Sequence, residues 1–490
     1  MLSLLPLSSR PQQNIVFDDV LVDPVTKVIY HLEERPDDRG RCVIVETKSK
    51  PSTDVLPSPY NARSYVQEYG GAPAIVYNNT IYFSNASLDS STPDNAIYTL
   101  KVGDTVANRV TPGNILPLIH DMLVEGLSTV NHLFRYANFA IHPQKSNLLL
   151  TLREDHTNDS DPNDPHPENV INTICVVDTT AITATVNVVI HGADFYATPV
   201  FNPSGNKIGW QEWNLPVAPW NSPGMPWDSG LIYVADVAVD SGSLKLISDL
   251  VLVAGEAGKK AATFPTWITD TTLAYVTDGY NKYQNPYIYH TDTKKSTPVL
   301  KTPLTQDFAE PAWSLGLYPF AILGGGKYGV FTAFDNGRNI LYIINLTGPS
   351  EPVPIPFDFT VAQHVRTASE NTFVFTGSKA SAAGGVVLGK VSDNSGYSAT
   401  FEVLKYSSDP DLVKSLEKYI SKPDPIKLEG SSGHSIYVVY YEPHNDDYTG
   451  SSIKEEKPPC ILNVHGGPTG LEPQALNWTK MFYTSRGFAW

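Results

Sequence analysis

Over its first four hundred or so positions the chain alternates short apolar runs with polar turns rich in Pro, Gly, Asn and Asp. One phrase recurs: a strand, a turn, a second strand, a loop, then a third strand rich in Ile, Val and Tyr. The third strands read as Cys42–Glu46, Ala96–Leu100, Thr173–Val177, Leu231–Ala235, Tyr287–Tyr289, Ile340–Ile344 and Gly385–Leu388. β-branched and aromatic side chains suit a pleated, half-buried surface, so each is expected as a strand. Second strands precede some of them, as at Thr80–Phe83, Lys207–Trp210 and Thr272–Tyr275. A several-strand repeat with a period of about 40–50 residues is the mark of a propeller blade. Seven phrases fit before position 405. The expected fold class is therefore mainly β, a seven-bladed β-propeller. Stacked β-sandwiches are the alternative, disfavoured because no linker-like break interrupts the repeat.

The pattern changes near Ser407. Asp409–Ile420 places apolar residues at 412, 413, 416, 419 and 420, one face of a helix. Asp409 and Asp411 sit at its start, where they complement the dipole. Lys422–Pro425 reads as a stop and linker, and Ser435–Tyr441 as a strand. Pro459–Val464 reads as a fully buried strand because its apolar run is continuous. A Gly-rich turn, His465–Pro468, then a helix over Gln474–Tyr483 and a strand opening at Arg486–Trp490 complete the pattern. Strand, Gly turn, helix, strand is an α/β unit, here its first, incomplete part. The expected domains are a propeller over 1–408, then a linker helix and the start of an α/β domain over 409–490.

Composition narrows the function. The 490 residues are 41% hydrophobic and 18% charged, enough apolar surface for large cores. Net charge is −16 and no Lys/Arg block stands out, which argues against nucleic acid as a partner. No apolar run approaches the length of a membrane span. Three cysteines, Cys42, Cys175 and Cys460, lie far apart and form neither a disulfide framework nor a zinc motif. The opening Met1–Arg10 lacks a basic stretch and is broken by Pro6, so no signal peptide is expected. A reducing, cytoplasmic setting follows from both.

The sharpest chemical signal is Val464-His-Gly-Gly-Pro-Thr-Gly470. Adjacent glycines let a strand end turn tightly and leave peptide N–H groups pointing outward. Such donors hold the oxyanion that forms when a carbonyl is attacked, and a Gly-rich turn of this type supplies half of that hole in α/β-hydrolases.

With Pro458–Gly470 and Thr484–Phe488 on the page, the chain resembles the prolyl oligopeptidase family of serine peptidases, and most of all its acylaminoacyl peptidase and dipeptidyl aminopeptidase branch. Arg63–Gly71, Phe134–Phe139, Arg153–His156, Asn169–Asn172, Asp194–Pro199, Met225–Asp228 and Asp307–Trp313 are similar to landmarks of that branch, in order. The family's histidine before Glu-Tyr-Gly-Gly is Gln67 here, and the segment from Trp213 to Met225 is somewhat longer. The resemblance implies hydrolysis of short peptides by a Ser–Asp–His mechanism, without metal or organic cofactor. It implies that Gly467 donates its N–H to the oxyanion, that Gly466 shapes the turn and that His465 braces the loop.

No G-x-S-x-G elbow occurs in the chain. Gly430-Ser-Ser-Gly433 comes nearest and lies upstream of the Gly turn. Ser485 reads as structural. The triad is expected beyond Trp490, as in a truncated form, and the chain alone is expected to be inactive. A non-catalytic propeller that binds or scaffolds peptides is the alternative function. Glu68 reads as an ion-pair partner of Arg63, or else as a group that grips a substrate amine. Asp155, His156, Asp159, Asp161 and Asp164 read as a solvated loop rather than a metal site. Acylaminoacyl, dipeptidyl and endopeptidase specificities are not separable from these residues, nor is the oligomeric state.

Overall fold

The computed structural model describes residues 15–48, 52–86, 88, 94–112, 134–158, 167–181, 185–215, 224–240, 242–393, 396–431, 433–448, 450–466 and 469–490. Seven antiparallel sheets follow one another along the chain. Their strands run within Val16–Asp54, Ala74–Arg109, Phe134–His191, Phe195–Ala254, Ala262–Pro298, Phe320–Ile355 and Val361–Tyr406. Each sheet is a meander of four strands, except the fourth, where Ser243–Leu246 and Val251–Ala254 both pair with Leu231–Asp240. All seven third strands anticipated from the sequence are the third strands of their sheets.

The alternation of side chains explains why these sheets stack as blades. Successive residues of a strand face opposite sides. In the fifth blade Leu273 and Tyr275 join one core with Ile232 and Val234 of the fourth, while Ala274 and Val276 join another with Phe331 and Ile344 of the sixth. In the seventh, Phe373 and Phe375 pack toward the sixth and Val374 packs toward the first. Seven separate apolar clusters fill the seven seams between blades. The last seam, with Val20, Ile29, Ala368, Val374 and Val386, joins the seventh blade to the first and closes the ring. The chain is a seven-bladed β-propeller.

First strands of neighbouring blades lie against one another, so they face the axis. Several are bulged. In blades three, four, five and seven the bulge holds a non-glycine residue with left-handed backbone: Asn138 (φ 57°), Thr198 (φ 51°), Phe264 (φ 56°) and His364 (φ 56°). A bulge re-aims side chains at the end of a strand pair.

After Tyr406 the chain leaves the propeller. Asp409 caps a short helix, Pro410–Ser415, by accepting the N–H of Asp411, and a 3-10 turn over Glu417–Tyr419 continues it. Lys422–Pro425, expected as a stop and linker, instead runs into a strand, Pro423–Glu429, paired with Ser435–Tyr441, and the Gly433 N–H donates to the Gly430 carbonyl between them. The expected helix over Gln474–Tyr483 starts only at Trp478, where the Asn477 side chain accepts the N–H of Lys480, and it runs to Thr484.

The expectation of a buried strand over Pro459–Val464 is overturned. Leu462 is 81% exposed and Val464 is 77% exposed. The segment makes one parallel bridge, Cys460 with Ala489. Trp490 in turn pairs with Tyr441 through two backbone hydrogen bonds of 2.9 and 3.0 Å. A strand becomes buried only when neighbours cover both its edges and faces, and among the described residues only the short 489–490 stretch lies beside this one.

Candidate active site

The Arg63–Gly71 segment joins the first two blades, yet it also reaches distant ones. Ser64 Oγ donates to the Tyr136 carbonyl at 2.8 Å, and the Gln67 N–H donates to Glu154 Oε1 at 2.6 Å. Gln67 Nε2 reaches the Tyr196 carbonyl of the fourth blade at 2.9 Å. Leu315, between blades five and six, donates its N–H to Gly70 O at 3.2 Å, and Tyr69 meets Trp313 edge-on at 4.0 Å. The segment therefore spans the channel mouth. Its two glycines are required by this crossing. A Cβ on Gly70 would overlap the Ser64 carbonyl, one on Gly71 would overlap the Leu315 carbonyl, and both have positive φ.

Glu68 does not pair with Arg63. Its partner is Arg135 of the third blade, at 2.5 Å, while Arg63 lies over the Tyr65 ring and 3.9 Å from Glu34. Gln67 and Glu68 both have left-handed backbone, with φ 57° and 61°. Asp155 accepts the Thr157 N–H at 3.0 Å and His156 lies 3.1 Å from Glu154. Asp159, Asp161 and Asp164 lie outside the described residues.

A cavity of about 790 Å³ opens where the propeller meets the segment after the Gly turn. Thr469, Gly470, Leu471 and Pro473 form one wall. The opposite wall comes from blades four to seven and includes Trp227, Asp278, Asp307, Glu310 and Trp313. The wall segment is fixed to the propeller at several points. Gln474 Nε2 donates to the Asn336 carbonyl at 2.6 Å, Thr360 Oγ1 donates to the Gln474 carbonyl at 2.8 Å, and the Leu476 N–H donates to the Lys379 carbonyl at 2.8 Å. The two parts of the chain thus hold a defined cleft between them.

His465 and Gly466 lie just ahead of this wall in the chain. His465 is exposed, with Nδ1 3.3 Å from the Gly466 carbonyl. Its ring lies against Gly470: a Cβ there would fall 2.5 Å from His465 Nδ1 and 2.7 Å from the Gly466 oxygen. The imidazole is thus folded into its own loop. Gly467, the expected oxyanion donor, lies outside the described residues. Ser485 is buried at the C-terminal cap of the last helix, its carbonyl accepting from Asn445 Nδ2 at 3.0 Å.

Sequence reasoning missed the acidic wall. Burial holds the carboxyls of Asp278, Asp307 and Glu310 above the usual range, with the neighbouring Asp307 and Asp228 adding to the effect at Asp278. Asp307 and Glu310 sit inside the Asp307–Trp313 landmark, so the signal was present as a motif but carried no role. Two further features could not be read from spacing. They are the ion pair of Asp19 with Arg366 at 3.0 Å and the stacking of Arg366 over Tyr318 at 4.1 Å.

Among solved structures, the chain is similar to a Mycobacterium tuberculosis puromycin-hydrolyzing peptidase, at 24% identity and a TM-score of 0.77 over 98% of this chain and 66% of that one. It is similar to a puromycin hydrolase at 22% identity and a TM-score of 0.76, over 96% of this chain and 65% of that one. An acylaminoacyl peptidase captured with Z-Gly-Gly-Phe-chloromethyl ketone matches at 13% identity and a TM-score of 0.58, over 97% and 64%. At these identities the likeness is one of fold. The structural neighbours are peptidases of the prolyl oligopeptidase family. The chain spans about two thirds of their length. No family model and no curated protein matches it.

Proposed function

We propose that the chain is the propeller and leading α/β part of a serine-type peptidase of the prolyl oligopeptidase family, divided at about residues 408 and 409. Its substrates are short peptides, from which the complete enzyme releases acylaminoacyl or dipeptidyl units in the cytoplasm by a Ser–Asp–His mechanism. In this reading Gly467 donates to the oxyanion, Gly466 forms the turn, His465 braces the loop, and no cofactor is needed. The observation that carries the proposal is the cleft itself: the segment that follows the Gly-rich turn forms one wall of a cavity of about 790 Å³ whose other wall is the propeller. The fold likeness to peptidases supports it. The unpaired, widely spaced cysteines support a reducing setting.

The 490 residues contain no G-x-S-x-G, so the chain as given is proposed not to turn over substrate. Treatment with a fluorophosphonate probe tests this. The reading expects no covalent label. A label on any serine of the chain would require a nucleophile that it denies.

A further inference from the structure

The Gly turn is tied at its base by one side chain. Asn463, just ahead of Val464, donates Nδ2 to Glu472 Oε2 at 3.0 Å, a bond that spans nine positions and encloses the turn. The other carboxylate oxygen, Oε1, receives Nζ of Lys480 at 2.5 Å. Lys480 is only 3% exposed on the helix Trp478–Thr484 and lies over the ring of buried Tyr441 at 4.6 Å. Tyr441 is itself paired with Trp490 through the backbone. One carboxylate therefore connects the start of the turn, its end, the last helix and the hairpin strand.

This connection is stiff for a physical reason. A buried ammonium is costly unless paired, and among the described residues Glu472 is the ion-pair partner of Lys480. Glu472 cannot swing away without stranding that charge. The backbone offers no substitute on the near side. Among the described residues its last bond before the turn is Ile461 N–H to the Ala489 carbonyl, at 2.9 Å, and Leu462 and Val464 beyond it are exposed. On the far side Leu471 and Pro473 line the cleft, while the carboxylate of Glu472 between them reaches the helix.

Placement decides what such a turn can do. A donor stabilises an oxyanion only when it is aimed at the point where charge develops. A misplacement of about 1 Å near a reacting centre costs about a hundredfold in rate. We propose that Glu472 is a positioning residue of the Gly turn: it closes the base of the turn through Asn463 and fixes that base to the α/β part through Lys480. The inference rests on the peptidase reading for what the turn does, and on the bonds of Glu472 for how the turn is held.

The test uses the 490-residue chain and needs no turnover. Limited proteolysis reads the order of the turn. A magnetic resonance spectrum of chain isotope-labelled at glycine reads the surroundings of Gly466 and Gly470, with Gly487, just past the last helix, as the reference. Asn463→Ala and Glu472→Ala should each speed cleavage near residue 466 about tenfold, the effect of losing one hydrogen bond to a charged group. Both should move the Gly466 and Gly470 signals. The double variant should do no more than Glu472→Ala alone, because both changes break the same clamp. Asn463→Ala leaves Lys480 paired, so it carries the test if Glu472→Ala unfolds the helix and moves Gly487 as well. Unchanged cleavage and unchanged glycine signals in Asn463→Ala overturn the inference, and so do single effects that multiply in the double variant. The peptidase reading survives either result. A fluorophosphonate label on a serine of this chain would instead overturn the reading of a chain without a nucleophile and leave the clamp standing.

Discussion

Asp19 and Arg366 stand 347 positions apart in the chain and 3.0 Å apart in space, one on the first strand of the first blade and one on the first strand of the last. A backbone bond also ties the chain ends of the ring, Ile15 N–H to the Ser407 carbonyl at 3.2 Å. The two partners are not equivalent. Arg366 also donates to the Gly316 carbonyl at 3.1 Å and lies over Tyr318, so it keeps contacts when the carboxylate is neutralised. Asp19 is fully buried and has only the Val20 N–H besides. Asp19→Asn should therefore cost no more than about 1 kcal/mol. Arg366→Met should cost about 3–5 kcal/mol, because it strands a buried charge. Urea unfolding of both variants measures the difference.

The same pair sets a pH dependence. Burial outweighs the arginine and pushes the Asp19 carboxyl up to about 6. Between the ordinary carboxyl range and about 6 the folded chain keeps a proton that the unfolded chain has lost. Stability contributed by this group therefore falls as pH rises through that window. Buried His364, held down to about 3, acts with the opposite sign as pH falls below its usual range. The expected outcome is a wild-type minus Asp19→Asn difference in melting temperature that is larger at pH 4.5 than at pH 7.5. His364 cancels from that difference.

Gly71→Ala should destabilise strongly, since φ is 94° and the new methyl would overlap the Leu315 carbonyl across the channel. Gly103→Ala is the control, with φ 100° and nothing within 4 Å. The control should lose about 1–2 kcal/mol, the ordinary strain of a left-handed residue. Gly71→Ala should lose several times more by thermal unfolding, and Gly70→Ala should behave like it.

Phe375 is 1% exposed in the seam between the sixth and seventh blades, ringed by Phe357, Phe359, Phe373 and Phe401. Truncation to alanine should cost about 3–5 kcal/mol. Because each seam is a separate cluster, the loss should open that edge first, with amide exchange rising in Val361–Tyr406 ahead of the third blade.

The folding of His465 onto Gly470 predicts coupling between them. Gly470→Ala places a methyl 2.5 Å from the imidazole and should displace the loop, seen as faster proteolysis near residue 466. Adding His465→Ala should relieve that displacement. Independent effects of the two changes would mean the ring does not brace the loop.

The propeller was legible because its cause is local. Strand periodicity, turn residues and a recurring phrase are all written within fifty residues, and Tyr287–Tyr289 or Ile340–Ile344 need no distant partner to be recognised. The α/β part was misread where burial depends on neighbours. Ile461, Leu462 and Val464 have the composition of a central strand, but composition does not supply the strands that would cover it. Pro423 and Pro425 looked like breakers, yet an edge strand of a two-stranded hairpin tolerates proline. The site was legible only at the Gly turn, which carries a motif. The acidic wall was not, because only the fold brings Asp278 to the Asp307–Glu310 segment and Gln284 has no signature at all. Glu68 was assigned a near neighbour in sequence, and the fold gave it Arg135 instead.

The central claim is that a peptide lies in the cleft between the propeller and the segment after the Gly turn, on a chain that brings no nucleophile of its own. A crystal structure of the 490-residue chain with glycyl-phenylalanine chloromethyl ketone tests both halves at once. The account predicts the peptide between Trp313 and Gly470 with no bond from any serine to its ketone carbon. Peptide bound elsewhere on the ring, or a serine of this chain joined to that carbon, would contradict it.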